Sequence, residues 1–481
     1  MGGISGQPSG GHPFGQLGSP APERGRSVGL LLLAGGLVGA IVLVVGYLLF
    51  FGSRPAPSPT PTAVAGSPTA SAPTATTATA SAPSPPSASA TAPSDVAAVI
   101  DQVIAQMPAV RELEPTRDVP YVLLTRDEAR AELEALLAEE TDPERLAAEQ
   151  RLLVRLGLLP ADADLFELLV ELQGSGVAAY YRTDTKTMYI IERDEPFSAL
   201  DRVYVAHEYT HALQDMHFDL EGTRQTDPAE GDAALAQLAA IEGDASMSML
   251  FWAGASLSGT EFLELLGDMT ATPADQQLLD RMPPILLRQL TFPYNEGVAF
   301  SNQAYALGGW EAVNATLTDP PASTEQVLHP EKYDAREAPI PVVLDDLSAD
   351  LGPGWQPAYE QTMGELIIQI WLADGADAPM PGLPLPTTEW QDAAAGWGGD
   401  RIAMYENGTD QWAIVWRLAW DEPTDSAQFE IIATRLLPLL DGRTEFGTQV
   451  IGDKMHATLL IASDQATLDR LDTAVRQATR P

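Results

Sequence analysis

Two histidines four residues apart, with a glutamate beside the first, are the residues of this chain best suited to chemistry: His207-Glu208-Tyr209-Thr210-His211. On a helix that spacing puts both imidazoles on one face, where they can grip a single metal ion. Glu208 then stands where a general base can reach a water on that metal, the arrangement of zinc-dependent peptide hydrolysis. The chain has only 6 histidines in 481 residues, so the pairing is informative.

A catalytic zinc needs a third protein ligand and one open position. Two glutamates compete for that role, Glu230 and Glu242. Asp227-Pro228-Ala229-Glu230 reads as a helix opening, with Asp227 as N-cap, Pro228 at N1 and Glu230 closing a capping box. Glu242 lies within the Ala-rich helix that follows, among Leu238, Ala239, Ile241 and Ala245, where a carboxylate has no evident solvent-facing purpose. The two glutamates are separated by a rotation of about 120° and cannot share a face. The local chemistry favours Glu242.

The elements that must position these groups are legible nearby. Ser198 and Asp201 form a helix-start signature ahead of a helix of about twenty residues carrying the histidines. Val177 to Arg182 and Thr187 to Glu192 read as a hairpin turning over Thr183 to Lys186. An oxyanion donor is also required. His329, held by His-Pro in a Pro-rich turn, is the first candidate and Tyr294 the second, although a loop histidine and a packing tyrosine are the plainer readings. His217 lies off the ligand face, His456 sits in a strand pattern, and His12 is in the tail.

The stretch H-E-Y-T-H-A-L-Q-D-M-H-F-D-L (207–220) and the later I-E-G-D-A (241–245) resemble a set of membrane-anchored bacterial zinc metallopeptidases of gluzincin type. F-P-Y-N-E-G (292–297), G-G-W-E-A-V-N (308–314), P-P-A-S-T-E-Q-V-L-H-P-E-K-Y (320–333) and G-W-G-G-D-R-I-A-M-Y (396–405) are similar to the same group, so the resemblance covers roughly residues 95 to 481. It implies a zincin-like fold, Zn2+ held by His207, His211 and Glu242, and Glu208 as catalytic base. One departure stands out. Gluzincins often place an aspartate four residues after the ligand glutamate to orient a histidine; here that residue is Ser246. Asp244 should point elsewhere on a regular helix, which leaves Asp215 as the candidate for that outer role.

The first hundred or so residues suggest where the chemistry happens. Val28 to Phe51 is an apolar run of 24 residues without a charge, long enough to span about 30 Å of hydrocarbon. It is longer than a signal-peptide core and lacks an adjacent cleavage pattern, so an uncleaved anchor is expected. Arg24 and Arg26 before it favour a cytoplasmic N-terminus. The expected layout is a disordered tail over 1–27, the span over 28–51, and a Pro/Ala/Ser/Thr-rich linker over 52–94. A catalytic domain over 95–345 and an α+β lobe over 346–481 follow.

Composition narrows the function classes. The net charge is −40, and the three lysines (Lys186, Lys332, Lys454) form no basic stripe, which disfavours nucleic-acid binding. Without cysteine there is no disulfide and no thiol chemistry. The expected fold is α+β, a predominantly helical core with an antiparallel hairpin and a C-terminal lobe of antiparallel hairpins. In that lobe a helix over 359–372 precedes strands at 401–405 and 411–420; further upstream, a shorter helix is expected over 296–307. The leading functional expectation is a membrane-tethered zinc metallopeptidase acting on extracytoplasmic proteins or peptides. A non-catalytic binding module on the same scaffold and a cell-wall peptide amidase are the alternatives.

Overall fold

The computed structural model describes residues 94–174, 178–192, 197–268, 273–377, 389–408 and 410–478. The expected tail and span, and all of the linker but Ser94, lie outside the described residues. Among the described residues no helix is long and apolar enough to cross a membrane.

The fold is α+β. The described chain opens with four helices, α1 (Ser94–Arg111), α2 (Arg126–Glu140), α3 (Pro143–Arg155) and α4 (Leu165–Gly174), and a short strand, β1 (Tyr121–Leu124), between the first two. β2 (Ala179–Arg182) and β3 (Thr187–Ile191) form the expected antiparallel hairpin. The sheet is larger than a hairpin, because β1 pairs in parallel with β3 and leaves β2 on the other edge.

Two buried helices form the centre. α5 (Ala199–Phe218) begins at a reciprocal capping box between Ser198 and Asp201, as the sequence predicts, and ends where Asp219 turns left-handed. α6 (Gly231–Ser256) crosses it, and α7 (Gly259–Asp268) and α8 (Pro273–Arg281) follow. α9 (Pro284–Thr318) then packs along α6. The expected 296–307 helix is only part of this element, which is broken by non-helical backbone at Gly308 and Gly309, where φ is 63° at the second glycine.

Close approach of α6 and α9 depends on two glycines. A β-carbon on Gly243 would lie 2.1 Å from the Gly297 carbonyl oxygen, and one on Gly297 would lie 2.3 Å from the Ala239 carbonyl. Only hydrogen fits at that crossing. The contact seats the helix carrying Glu242 directly against the helix carrying Tyr294.

Beyond α10 (Thr324–Leu328), α11 (Pro330–Asp334) and α12 (Ser348–Leu351), the chain forms an antiparallel sheet ordered β4-β5-β6-β8-β7. Its strands are β4 (Gln356–Gln361), β5 (Trp397–Asn407), β6 (Gln411–Trp420), β7 (Arg443–Ile451) and β8 (Lys454–Ala462). α13 (Gly364–Asp377), α14 (Glu389–Ala394), α15 (Pro423–Leu436) and α16 (Gln465–Ala478) pack around it. The expected helix over 359–372 is thus a strand followed by a helix. Gly364 separates them with φ 80°, and Asp400 accepts hydrogen bonds from the Met363 and Gly364 amides at the join. One apolar core runs through both halves of the chain, from Ile100 on α1 to Ile461 on β8.

Candidate metal centre

His207 and His211 sit one turn apart on α5, and Glu242 reaches them from α6. Their ligand atoms converge. His207 Nε2 and His211 Nε2 are 3.0 Å apart, and Glu242 Oε2 is 3.1 Å from the first and 3.4 Å from the second. Zinc bonded tetrahedrally at 2.0–2.1 Å separates its ligand atoms by about 3.3 Å. The three side chains therefore fit a zinc ion in position and chemistry. Glu242 Oε1 is buried without a hydrogen-bond partner, a cost that a bound cation would relieve.

The electrostatics point the same way. Burial opposes charge on His211, but the Glu242 carboxylate and its hydrogen bond outweigh it and push the imidazole up to about 9. Burial likewise opposes charge on Glu242, yet the two histidines hold it down to about 2. The protein field favours positive charge at the point where the three groups meet.

Glu208 lies beside this point and is 2 % exposed. Burial pushes its carboxyl above the usual carboxylate range, opposed by the neighbouring histidines and by the Tyr181 backbone N–H of β2. Its Oε2 is buried and has no hydrogen-bond partner. A carboxylate with a raised affinity for protons and a free oxygen is equipped to take a proton and return it.

The orienting group is one the sequence reading missed. His211 Nδ1 donates to Gln214 Oε1 at 2.8 Å, which leaves Nε2 with its lone pair toward the metal position. The Gln214 amide donates in turn to Asp244 Oδ2 at 2.8 Å and to the Ile241 carbonyl at 2.9 Å. Asp244 faces Arg111 Nε at 2.7 Å, both side chains fully buried. Arg111 also donates to Asn314 Oδ1 at 2.6 Å and lies 4.3 Å from the centroid of the Trp310 ring. The Gly308-Gly309 break thus has a purpose: it turns the chain so that Trp310 and Asn314 enclose the guanidinium. Gln214 stands three residues after His211, on the same helical face, and that spacing could have revealed it.

Several expectations are corrected here. Asp215 does not orient a histidine. It accepts from Arg117, Tyr181 and Lys186 at 2.8, 2.8 and 3.0 Å, and so ties α5 to the hairpin that brings Tyr181 to Glu208. Asp244 serves the site after all, because Gln214 spans the gap that its helical position leaves. Ser246 Oγ is buried and has no hydrogen-bond partner. Glu230 closes no capping box; Asp227 to Glu230 form a turn, the helix starts at Gly231, and the Glu230 carboxylate pairs with Arg401 at 2.8 Å.

Of the two oxyanion candidates, Tyr294 lies at the site, its ring centroid 6.2 Å from that of His207. His329 Nε2 instead meets Glu365 Oε1 at 3.0 Å. Its motif joins the two halves of the fold. Thr324 donates through its N–H and O–H to Asp232 and accepts from the Leu366 N–H at 3.2 Å. Lys332 pairs with Glu325 at 2.7 Å, with Glu337 at 2.9 Å and with Asp421. Those three carboxylates are close enough together for a cation, and the Lys332 ammonium is that cation. His217 meets the Glu114 carbonyl at 2.8 Å.

A family model described as a domain of unknown function (DUF8575) matches residues 355–476, the C-terminal sheet and its helices. No curated protein and no solved structure matches the chain.

Proposed function

We propose that the protein is a membrane-tethered, zinc-dependent metallopeptidase of gluzincin type that hydrolyses extracytoplasmic proteins or peptides. The observation that carries this reading is the convergence of His207, His211 and Glu242 within 3.0–3.4 Å of one another beside Glu208. Zinc held there would supply an acidified water and Lewis-acid polarisation of a carbonyl oxygen. Glu208 takes the proton of the attacking water and passes it to the leaving amine. Tyr294, from α9, donates to the developing oxyanion, a role supported by its ring lying 6.2 Å from that of His207. His329, engaged with Glu365, serves the joint between the halves instead. The apolar run 28–51 and the linker after it support a tether that holds this domain outside the membrane.

One observation favours a second reading, a non-catalytic zinc-bearing scaffold: His207, Glu208, His211 and Glu242 are 4, 2, 2 and 0 % exposed. A single experiment separates the two. The full chain, purified in detergent, is assayed for zinc and for cleavage of a peptide library, alongside Glu208→Gln. Peptidase action predicts equal zinc content and a loss of cleavage by at least 100-fold in the variant. Zinc without cleavage in the wild type would establish the scaffold, and absence of zinc would remove both readings.

A further inference from the structure

The C-terminal sheet carries an unexplained row of polar groups. Arg401, Arg417, Thr458 and Gly447 are direct cross-strand neighbours on β5, β6, β8 and β7, so their side-chain positions share one face. His456 stands two residues from Thr458 on that face. Farther along, the face is covered by Leu468 and Leu471 of α16. The extended segment 339–343 runs over part of it, with the Ile340 N–H donating to the Gly398 carbonyl at 2.6 Å.

The charges in this row are treated unequally. Arg401 is answered by Glu230 at 2.8 Å and Glu360 at 3.6 Å. Arg417 is only 8 % exposed, and its one hydrogen bond among the described residues is a long one, 3.5 Å, to the Val343 carbonyl. No carboxylate of the described residues lies within ion-pair distance of it. Asp345, the acid that acts on it, does so from farther away. Arg417 Nε, His456 Nδ1 and Thr458 Oγ1 are all buried without a hydrogen-bond partner. An uncompensated guanidinium out of water is costly, and a chain of net charge −40 has carboxylates to spare for it. Leaving three donors unanswered side by side is the signature of a site made for something else.

The geometry points to an oxoanion-binding site formed by Arg417, Thr458 and His456, taking a carboxylate or phosphate group. The guanidinium presents a fork that matches two oxygens of such a group, and the hydroxyl and imidazole add donors from one side. The face is open over β7, where a β-carbon on Gly447, opposite Thr458, would meet nothing within 4 Å. In the next row, with Ala419 and His456, the space over Gly399 is filled by the Ile340 backbone, which bounds the site on that side. The site lies wholly within residues 355–476 and does not depend on the metal centre.

Thermal unfolding of the full chain in detergent tests this, with sodium phosphate or sodium acetate replacing chloride at constant ionic strength. Constant ionic strength removes the screening that so acidic a chain would otherwise feel. Phosphate at ten times its Kd should raise Tm by about 2 °C in the wild type. A larger response to acetate would name a carboxylate as the ligand and support the same site. Arg417→Met should abolish the response, and Thr458→Val should weaken binding about tenfold. Thr458→Val carries the test if Arg417→Met does not fold. Two results overturn the assignment: a wild type indifferent to both anions, or variants that respond as the wild type does. Indifference coupled with a lowered Tm in Asp345→Asn would identify Asp345 as the partner of Arg417 instead.

Discussion

Arg111 and Asp244 face each other at 2.7 Å with neither side chain exposed, and the pair ends a line of contacts that begins at His211. Such a pair is expensive to break from one side, because the surviving charge has no water to turn to. Asp244→Asn and Arg111→Met should each lower the unfolding free energy by about 3–5 kcal/mol. The double variant should lose clearly less than the two losses added together. Denaturant unfolding of the four proteins in the cycle measures this, and strict additivity would show the pair to be uncoupled.

Gln214 links that distant ion pair to the orientation of the His211 imidazole. Its amide oxygen fixes which nitrogen of His211 carries the proton, and its amide hydrogens are fixed by Asp244 and the Ile241 carbonyl. Gln214→Leu should keep the fold and weaken zinc binding by about 10–100-fold. Competition against a chelator of known affinity reads the effect directly. Unchanged affinity would mean that α5 alone orients the imidazole.

What could be read in advance was local. The Ser198–Asp201 capping box, the hairpin at 183–186 and the helical spacing of His207 and His211 each depend on a few neighbouring residues, and each is present. Glu242 was preferred over Glu230 because a carboxylate surrounded by apolar neighbours needs a partner; in the fold Glu242 Oε2 lies 3.1 Å from His207 Nε2, while Glu230 pairs with Arg401. Arg111 was out of reach: it lies well over a hundred residues before its partners Asp244 and Asn314, and nothing around it suggests a role at the site. The helix expected over 359–372 failed for a tertiary reason. Asp400, on another strand, holds the Met363 and Gly364 amides at the join between strand and helix. The S-T-E-Q-x-L-H-P run, read for chemistry through His329, also carries contacts between the two halves, those of Thr324 with Asp232 and Leu366 and of His329 with Glu365.

The glycine pair at the crossing of α6 and α9 can be tested by contrast. Gly243→Ala puts a methyl group 2.1 Å from the Gly297 carbonyl oxygen, backbone that cannot step aside cheaply. It should cost about 1–3 kcal/mol and reduce zinc retention, since the shift moves Glu242. Gly254→Ala lies on the same helix, where a β-carbon meets nothing within 4 Å. That change should stabilise by about 0.5 kcal/mol through helix propensity alone. Equal effects of the two substitutions on Tm would show that the crossing has slack.

The Lys332 cluster predicts a dependence of stability on pH. Burial pushes the Glu325 carboxyl up to about 8, against the pull of Lys332 and with added repulsion from Glu365 and Asp421. Lys332, held among three carboxylates, is itself raised and stays charged. Between its ordinary value of 4.5 and about 8, Glu325 keeps in the folded protein a proton that it has released in the unfolded chain. Stability from this group is therefore present at low pH, falls as pH rises through that window, and reaches its full cost above about 8. Glu325→Gln removes the titrating group while Lys332 keeps Glu337 and Asp421. The variant should gain on the wild type from pH 5 to about pH 8, and the difference should level off above that, when unfolding free energies are compared in matched buffers. A difference between the two proteins that does not vary with pH would mean that Glu325 is already ionised throughout, with Lys332 fully compensating its burial.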